Sequence, residues 1–274
     1  MSAARLWRAF AAAVLSVTCT TACGVKPLIT LPTGQLTPAT DGEDAIEQAT
    51  AACVAVRSMT AEIRLSGRIG GRRARSRLLV GVAAPASAYI EAPAPFGASA
   101  FVFAAVDDVA TLLLPRDHRM LERGHPSDVL EAIAGVALTP HELRDTLTGC
   151  VTGVDGRAAQ QSGDRWRVIF GEPRVYLRRS GPSEPWHVGA VVHRGNGRAE
   201  WRAEYADIVN GLPRTIRLAR AEPSRFDVAL ALSQVELNVP LGDEVFHPVV
   251  PAGYQPITLD QLRASGPLAE SSDR

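Results

Sequence analysis

Short segments in which apolar and polar side chains alternate follow one another through most of this sequence. Residues 198–205 show the pattern most clearly, because charged residues alternate there with Ala199, Trp201, Ala203 and Tyr205. A period of two is typical of a strand with one face in the core and the other in water. Because such segments follow one another directly, the sequence predicts an antiparallel meander rather than a parallel sheet.

We predict about eleven strands, at 61–69, 72–82, 87–92, 100–106, 109–114, 165–170, 174–179, 187–193, 198–205, 215–221 and 226–237. Gly70 and Gly71 separate the first two and are typical of a two-residue hairpin turn. A phosphate-binding loop is the weaker interpretation, because the Gly-Lys-Ser/Thr ending is missing. The apolar parity switches between Leu232 and Val235, which predicts a β-bulge in the last strand.

Helical patterns occur before, within and after the strands. Asp41 and Ser127 are the predicted caps of the first two helices, and Thr139 with Glu142 forms a capping box for the third. Such helices can cover the open side of a sheet. The predicted fold is mainly β with helices, a curved antiparallel half-barrel with a helical lid, and its helices lie at 43–56, 128–134, 139–149 and from 258 onward.

Residues 1–22 have the features of a cleaved export signal. Arg5 and Arg8 precede an apolar stretch at 9–17 that is too short to remain as a membrane-spanning helix. The small residues that follow, together with Cys23, resemble a bacterial lipoprotein signal, in which the cysteine receives a lipid and becomes the new N-terminus. Cys19 is the competing lipidation site, and an ordinary secretory signal is the alternative to both.

The composition is that of a folded domain behind such a leader. Hydrophobic residues make up 46% of the chain and charged residues 21%, and the formal net charge is +0. Because nucleic-acid binders usually carry a strong basic excess, nucleic acid is not an expected partner. The predicted organisation is a signal peptide at 1–22, a lipidated N-terminus and flexible linker at 23–42, a folded domain at 43–265 and a disordered tail at 266–274.

Two cysteines fall within the predicted domain. Cys53 lies on the apolar stripe of the first helix, and Cys150 follows Leu143 and Leu147 at helical spacing. Both side chains are therefore expected to face inward. In an exported protein this pattern predicts a disulfide, with two buried free thiols as the alternative.

Three short segments extend these observations to a family: Leu-Ser-Gly at 65–67, Ala-Pro-Phe-Gly at 94–97 and Leu-Leu-Pro-Arg at 113–116. With the leader, the linker, the interrupted meander and the closing helix, they resemble an outer-membrane lipoprotein branch of the LolA/LolB-like lipoprotein-carrier superfamily. The resemblance implies a protein anchored to a membrane by lipid. Gly24, where an Asp would signal retention at the inner membrane, favours the outer membrane and a domain that faces the periplasm, with the inner membrane as the alternative. The resemblance also implies binding of the acyl chains of lipoproteins or lipids, a role in lipoprotein localisation or insertion, and a periplasmic carrier protein as partner.

Acyl chains would bind in a hydrophobic concavity between sheet and helices. Phe96 is the candidate for an exposed apolar tip that contacts membrane or cargo, and a buried core phenylalanine is the alternative. The sequence does not reveal which face of the sheet binds ligand, and every lining candidate can also be plain core. The expected lining residues are Ile63, Leu65, Leu78, Val80, Phe101, Phe103, Leu112, Leu114, Leu130, Ile133, Trp166, Val168, Trp201, Leu230 and Leu232.

Neither an enzyme nor a cofactor or metal site is expected, because the sequence lacks a Gly-x-Ser-x-Gly elbow and a His-Glu-x-x-His motif. Two other functions stay open, a structural lipoprotein of an envelope complex and a carrier of glycolipid or lipopolysaccharide. The arginines at 64, 68, 73, 75 and 77 either pair with lipid phosphates or form a solvated strand face.

Overall fold

The computed structural model of this protein describes residues 26–94, 96–194, 200–222 and 225–265. The predicted signal peptide at 1–22, both candidate lipidation sites, Cys19 and Cys23, and the tail at 266–274 lie outside the described residues. None of the helices within the described ranges is long and apolar enough to cross a membrane.

One open sheet contains all the strands in the described part of the chain. Its order is β1-β8-β9-β10-β11-β12-β13-β14-β2-β3-β4-β5-β6-β7-β15. Neighbouring strands are antiparallel, except that β15 pairs with β7 in parallel. The bounds are Thr37–Pro38 (β1), Ser58–Ile69 (β2), Arg72–Ala83 (β3), Ser87–Ala92 (β4), Phe101–Val106 (β5), Val109–Leu114 (β6), Arg119–Gly124 (β7), Ala159–Ser162 (β8), Trp166–Ile169 (β9), Arg174–Arg178 (β10), His187–His193 (β11), Trp201–Val209 (β12), Leu212–Arg220 (β13), Phe226–Leu237 (β14) and Gln255–Pro256 (β15).

The predicted number of about eleven strands is therefore too low, since the described residues form fifteen. The four additional strands are β1, β7, β8 and β15. Two of them contain only two residues each, and β8 has the sequence Ala-Gln-Gln-Ser, which carries no apolar alternation. These strands exist because a neighbouring strand presents free backbone groups to them, a tertiary cause that leaves no local pattern.

The central hairpin agrees with its prediction. β2 and β3 pair along their whole length, from Ser58 opposite Ala83 to Ile69 opposite Arg72. Gly70 and Gly71 between them have φ values of 60° and 81°, as a primed two-residue turn requires. In β14 the pairing with β2 shifts register between Ser233 and Glu236, where the sequence predicts a bulge.

In the described ranges, five α-helices accompany the sheet: α1 (Gly42–Val54), α2 (Pro126–Ala134), α3 (Pro140–Thr148), α4 (Asp243–Phe246) and α5 (Leu259–Ser265). The capping box at the start of α3 is present. The prediction that Ser127 caps α2 is wrong. His125 occupies the position before the helix, and Ser127 is buried inside the first turn.

A disulfide joins the first and third helices. Cys53 in α1 and Cys150 just after α3 are bonded, with their Cα atoms 5.4 Å apart and a sequence separation of 97 residues. This bond confirms the predicted pairing. It fixes both helices against the same sheet face, because the buried residues of α1, α2 and α3 share one core with those of the central strands.

Removing this bond should destabilise the domain strongly. On the chain-entropy account, a loop of this length contributes about 4–5 kcal/mol to the free energy of unfolding. We expect the Cys53→Ala, Cys150→Ala variant to lose an amount of this order in urea unfolding, and a reductant to have no further effect on it. A loss below about 1 kcal/mol would contradict the expectation.

Asp41 precedes α1 as predicted, but its side chain does not cap the helix. Its carboxylate accepts from Arg167, with 2.9 Å between Oδ2 and the Nη2 nitrogen. Arg167 is buried and its guanidinium stacks on the ring of Trp186. The hydrogen bond from Arg167 lowers the pKa of Asp41 below its ordinary value. The ion pair thereby ties the start of α1 to β9.

This pair gives a pH dependence of known sign. A carboxylate whose pKa is lower in the folded state stabilises the fold above its unfolded pKa, and the effect is lost as pH falls through the folded pKa. Asp41→Asn should therefore lower the melting temperature at pH 7, and the difference from wild type should shrink as the pH falls through the lowered pKa of Asp41 and vanish below it. The neighbouring Asp44→Asn is the control. A difference that persists in acid would show that packing, not charge, causes it.

Candidate functional site

The inner face of the sheet, defined here as the face that packs on α1, α2 and α3, carries most of the predicted lining residues. Phe103 and Leu112 have no exposed surface at all. Ten of the fifteen candidates are buried in the shared core, namely Ile63, Val80, Phe103, Leu112, Leu114, Leu130, Ile133, Trp201, Leu230 and Leu232. The structure thus brings them together, on strands and helices that are distant in sequence.

Trp166 and Val168 lie elsewhere. Ile169, their neighbour in β9, points into the shared core, so the alternation of the strand directs Trp166 and Val168 to the opposite face, which we call the outer face. Val168 is nevertheless buried. The chain before α1 runs along this side, from Leu28, whose amide donates to Glu204 of β12, to Thr37, which pairs with β8. Ile29 is buried in the same segment.

Three candidates are only half-buried at the edge of the core: Leu65, Leu78 and Phe101. Leu78 lies directly opposite Ile63, and Phe101 lies opposite Ala92 of β4, so all three belong to one end of the inner face. The last residue of α2, Ala134, packs partly buried against the same core. Gly135, which follows it, approaches Phe226 and Ile69 at that end. These three are therefore the lining candidates on the inner face that remain partly exposed.

Phe96 is exposed over 93% of its surface, so the structure favours the exposed tip over the core alternative. It lies in the loop between β4 and β5, which is closed by a hydrogen bond from the amide of Ala100 to the carbonyl of Ala92. Since β4 runs antiparallel to β3, this loop lies at the same end of the sheet as the Gly70-Gly71 turn. The apolar tip is thus at the end where the inner face is accessible.

Two polar groups of the inner face have pKa values shifted towards the neutral form. Burial lowers the pKa of His193, whose ring stacks on Trp201 with 4.1 Å between the centroids. Burial likewise raises the pKa of Tyr205. Among the described residues, no group of three His, Cys, Asp or Glu side chains is arranged to hold a metal ion. Leu65, Leu78 and Phe101 offer apolar contact only.

Two surface cavities lie apart from Leu65, Leu78 and Phe101. One, of about 490 Å³, lies beside Trp186 and the start of α1 and is lined mostly by charged and polar residues. The other, of about 330 Å³, lies between α4 and the outer side of β2 to β4 and includes Leu79, Tyr89 and Val245. Sequence reasoning missed both, because each depends on a segment without strand periodicity that folds back on the sheet.

Comparison with solved structures identifies the architecture. The structure aligns with a LolA superfamily protein from Nitrosomonas europaea over 76% of this chain and 98% of the other, with a TM-score of 0.50 and 13% identity. The protein has a LolA-like fold. This confirms the sequence-based resemblance at the level of the fold.

A more distant similarity is found to a DUF1329 family protein from Desulfovibrio piger, with 12% identity over 77% of this chain and 97% of the other and a TM-score of 0.47. The lipoprotein LppX from Mycobacterium tuberculosis aligns over 73% of this chain and 96% of the other, with 13% identity and a TM-score of 0.33. At these TM-scores they add no argument beyond the LolA-like fold. No protein-family model matches the sequence, and no curated protein matches it.

Proposed function

We propose that this protein is a lipid-anchored envelope protein that binds acyl chains on the inner face of its sheet and takes part in lipoprotein localisation or insertion at the outer membrane. The observation that carries the proposal is the accessible end of the inner face. Leu65, Leu78 and Phe101 lie there, next to an otherwise continuous apolar core. Such a surface binds acyl chains by removing apolar area from water, at roughly 25 cal/mol per Å².

The proposed binding mode requires the helices to act as a lid on a curved, half-barrel sheet. The disulfide restrains α1 and α3. α2 has no such bond, and polar contacts hold its two ends: Glu131 with Arg220 at 3.3 Å, and Asp128 with Arg263 of α5 at 3.9 Å. Opening by α2 and α5 would extend the accessible surface from Leu78 towards Leu130 and Ile133, which α2 itself contributes.

A pair of adjacent leucines tests the proposal. Leu78 and Leu79 are neighbours in β3, but Leu78 is on the inner face and Leu79, which is 38% exposed, is on the outer face. We expect native mass spectrometry of residues 26–265, produced in a bacterial periplasm, to show bound phospholipid or acylated peptide. Leu78→Gln with Leu65→Gln should abolish the bound mass, and Leu79→Gln should not.

Residue 26 is the right starting point, because the contacts of Leu28 and Ile29 belong to the folded domain. Leu112 is a poor test position, since a polar group at a fully buried site would unfold the protein. If the folded domain carries no lipid and takes up no fluorescent fatty acid, the acyl-binding proposal is wrong. The structural lipoprotein would then be the better interpretation.

Phe96 supplies the proposed contact with membrane or cargo. Because its side chain touches little of the protein, Phe96→Ser should leave the melting temperature unchanged within error. It should slow transfer of bound lipid to acceptor vesicles, measured by dequenching of a fluorescent fatty acid. Val249→Ser, at a residue that is 88% exposed, is the control for removal of an exposed apolar group. Equal transfer rates in all three proteins would exclude a role for Phe96.

A further inference from the structure

The outer face of the β2–β3 hairpin carries an arginine cluster, defined here as Arg64, Arg68, Arg73, Arg75 and Arg77. Alternation places them there, because Ile63, Leu65, Ala74 and Leu78 of the same strands are directed to the core. Arg64 lies directly opposite Arg77, and Arg68 lies directly opposite Arg73. The cluster therefore occupies an area of about 5 by 13 Å on two neighbouring strands.

These arginines have almost no counter-charge. Glu62 pairs with Arg77, and among the described residues no carboxylate pairs with Arg64, Arg73 or Arg75. Asp227 lies opposite Arg68 in the sheet, but both of its oxygens accept from Arg217. The Nε of Arg68 is buried without a hydrogen-bond partner. Like charges directly opposite one another destabilise a sheet.

The chain has as many acidic as basic residues, and two strands away, in β13, Arg217 has a carboxylate on either side. On the same outer face, Arg217 is 4% exposed and lies between Glu204 at 3.1 Å and Asp227 at 2.8 Å. The arginine cluster thus differs from its surroundings in lacking acceptors, not in lacking neighbours. This imbalance favours a counter-charge that comes from outside the molecule.

The position of the N-terminal segment indicates which side of the molecule faces the source of that counter-charge. The amide of Leu28 is bonded to Glu204, and Glu204, Arg217, Ala229, Ser66 and Arg75 form one row across the outer face. Five extended residues span at most about 18 Å. Leu28 therefore lies on the same face as the arginine cluster, and a lipid at the predicted site Cys23 would be tethered within that distance of Leu28.

We propose that the arginine cluster is a docking surface for an anionic phospholipid bilayer. Guanidinium groups bind phosphate oxygens through paired N–H donors, and basic residues close to an anionic surface are attracted to it within a Debye length. Docking would place the outer face of β2 and β3 against the headgroups and leave the inner face open to the periplasm. The proposal does not depend on acyl binding.

The test is arginine footprinting of the full chain. The protein is bound to vesicles of phosphatidylcholine alone or of phosphatidylcholine with phosphatidylglycerol, treated with phenylglyoxal and mapped by mass spectrometry. We expect Arg64, Arg73 and Arg75 to react about threefold or more slowly on the vesicles with phosphatidylglycerol. About 1 M salt, where the Debye length is ~3 Å, should remove the protection. Arg157, whose side chain is 77% exposed, is the internal control.

Two variants, each of which loses three positive charges, test whether the protection depends on the arginine cluster itself. Arg64→Gln, Arg73→Gln, Arg75→Gln should abolish protection at Arg77. The matched variant Arg123→Gln, Arg157→Gln, Arg263→Gln should retain protection of the cluster. Equal reaction rates on both kinds of vesicle, or equal protection of Arg157, would overturn the proposal. Leu78→Gln should leave the footprint unchanged, so failure of membrane docking and failure of acyl binding are distinguishable.

Discussion

The architecture depends on covering one apolar face of an open sheet. A barrel would cover this face by closing on itself, but here the end strands β1 and β15 lie at opposite edges and do not meet. Helices must therefore bury the apolar side chains, and a nine-residue helix has little stability without that contact. Sheet and helices depend on each other, and the Cys53–Cys150 bond makes part of their contact permanent. α2 carries no such bond, and its buried face and its polar contacts hold it against the sheet and α5.

The outer face follows a different rule. Where the N-terminal segment runs along it, charges are buried and paired: Glu204 and Asp227 both contact Arg217, and Arg202 also reaches Glu204 at 2.6 Å. Removing water from such charges is costly unless each has a partner. Across the hairpin, Arg64, Arg73, Arg75 and Arg77 are exposed, so their guanidinium groups keep their hydration. The change from paired to unpaired charge thus marks the border between the covered and the uncovered part of this face.

Features set by neighbouring residues were predictable from the sequence. The Gly70-Gly71 turn, the capping box at Thr139 and the inward direction of both cysteines each depend on a few positions and a backbone rule. Features that depend on residues far away in the sequence could not be predicted. β8 becomes a strand because β9 offers backbone partners, and Val168 is buried although it faces away from the core. Gly67 shows a local and a distant effect at one position. A glycine inside a strand is locally unfavourable, but a Cβ at this position would lie 2.1 Å from the carbonyl oxygen of Asp227, so the neighbouring strand β14 leaves no room for a side chain.

The same distinction limits what alternation says about the site. Parity assigned Leu65, Leu78, Phe103 and Leu112 correctly to one face, but it contains no information on which of them a helix covers. Coverage depends on where α2 ends, and that is set by Gly135 and the contacts beyond it. Because the twelve-residue strands β2 and β3 extend past the six-residue β4, their inner face continues beyond the sheet's shorter strands. Leu65 and Leu78 therefore lie at the end of the inner face that the helices leave partly exposed.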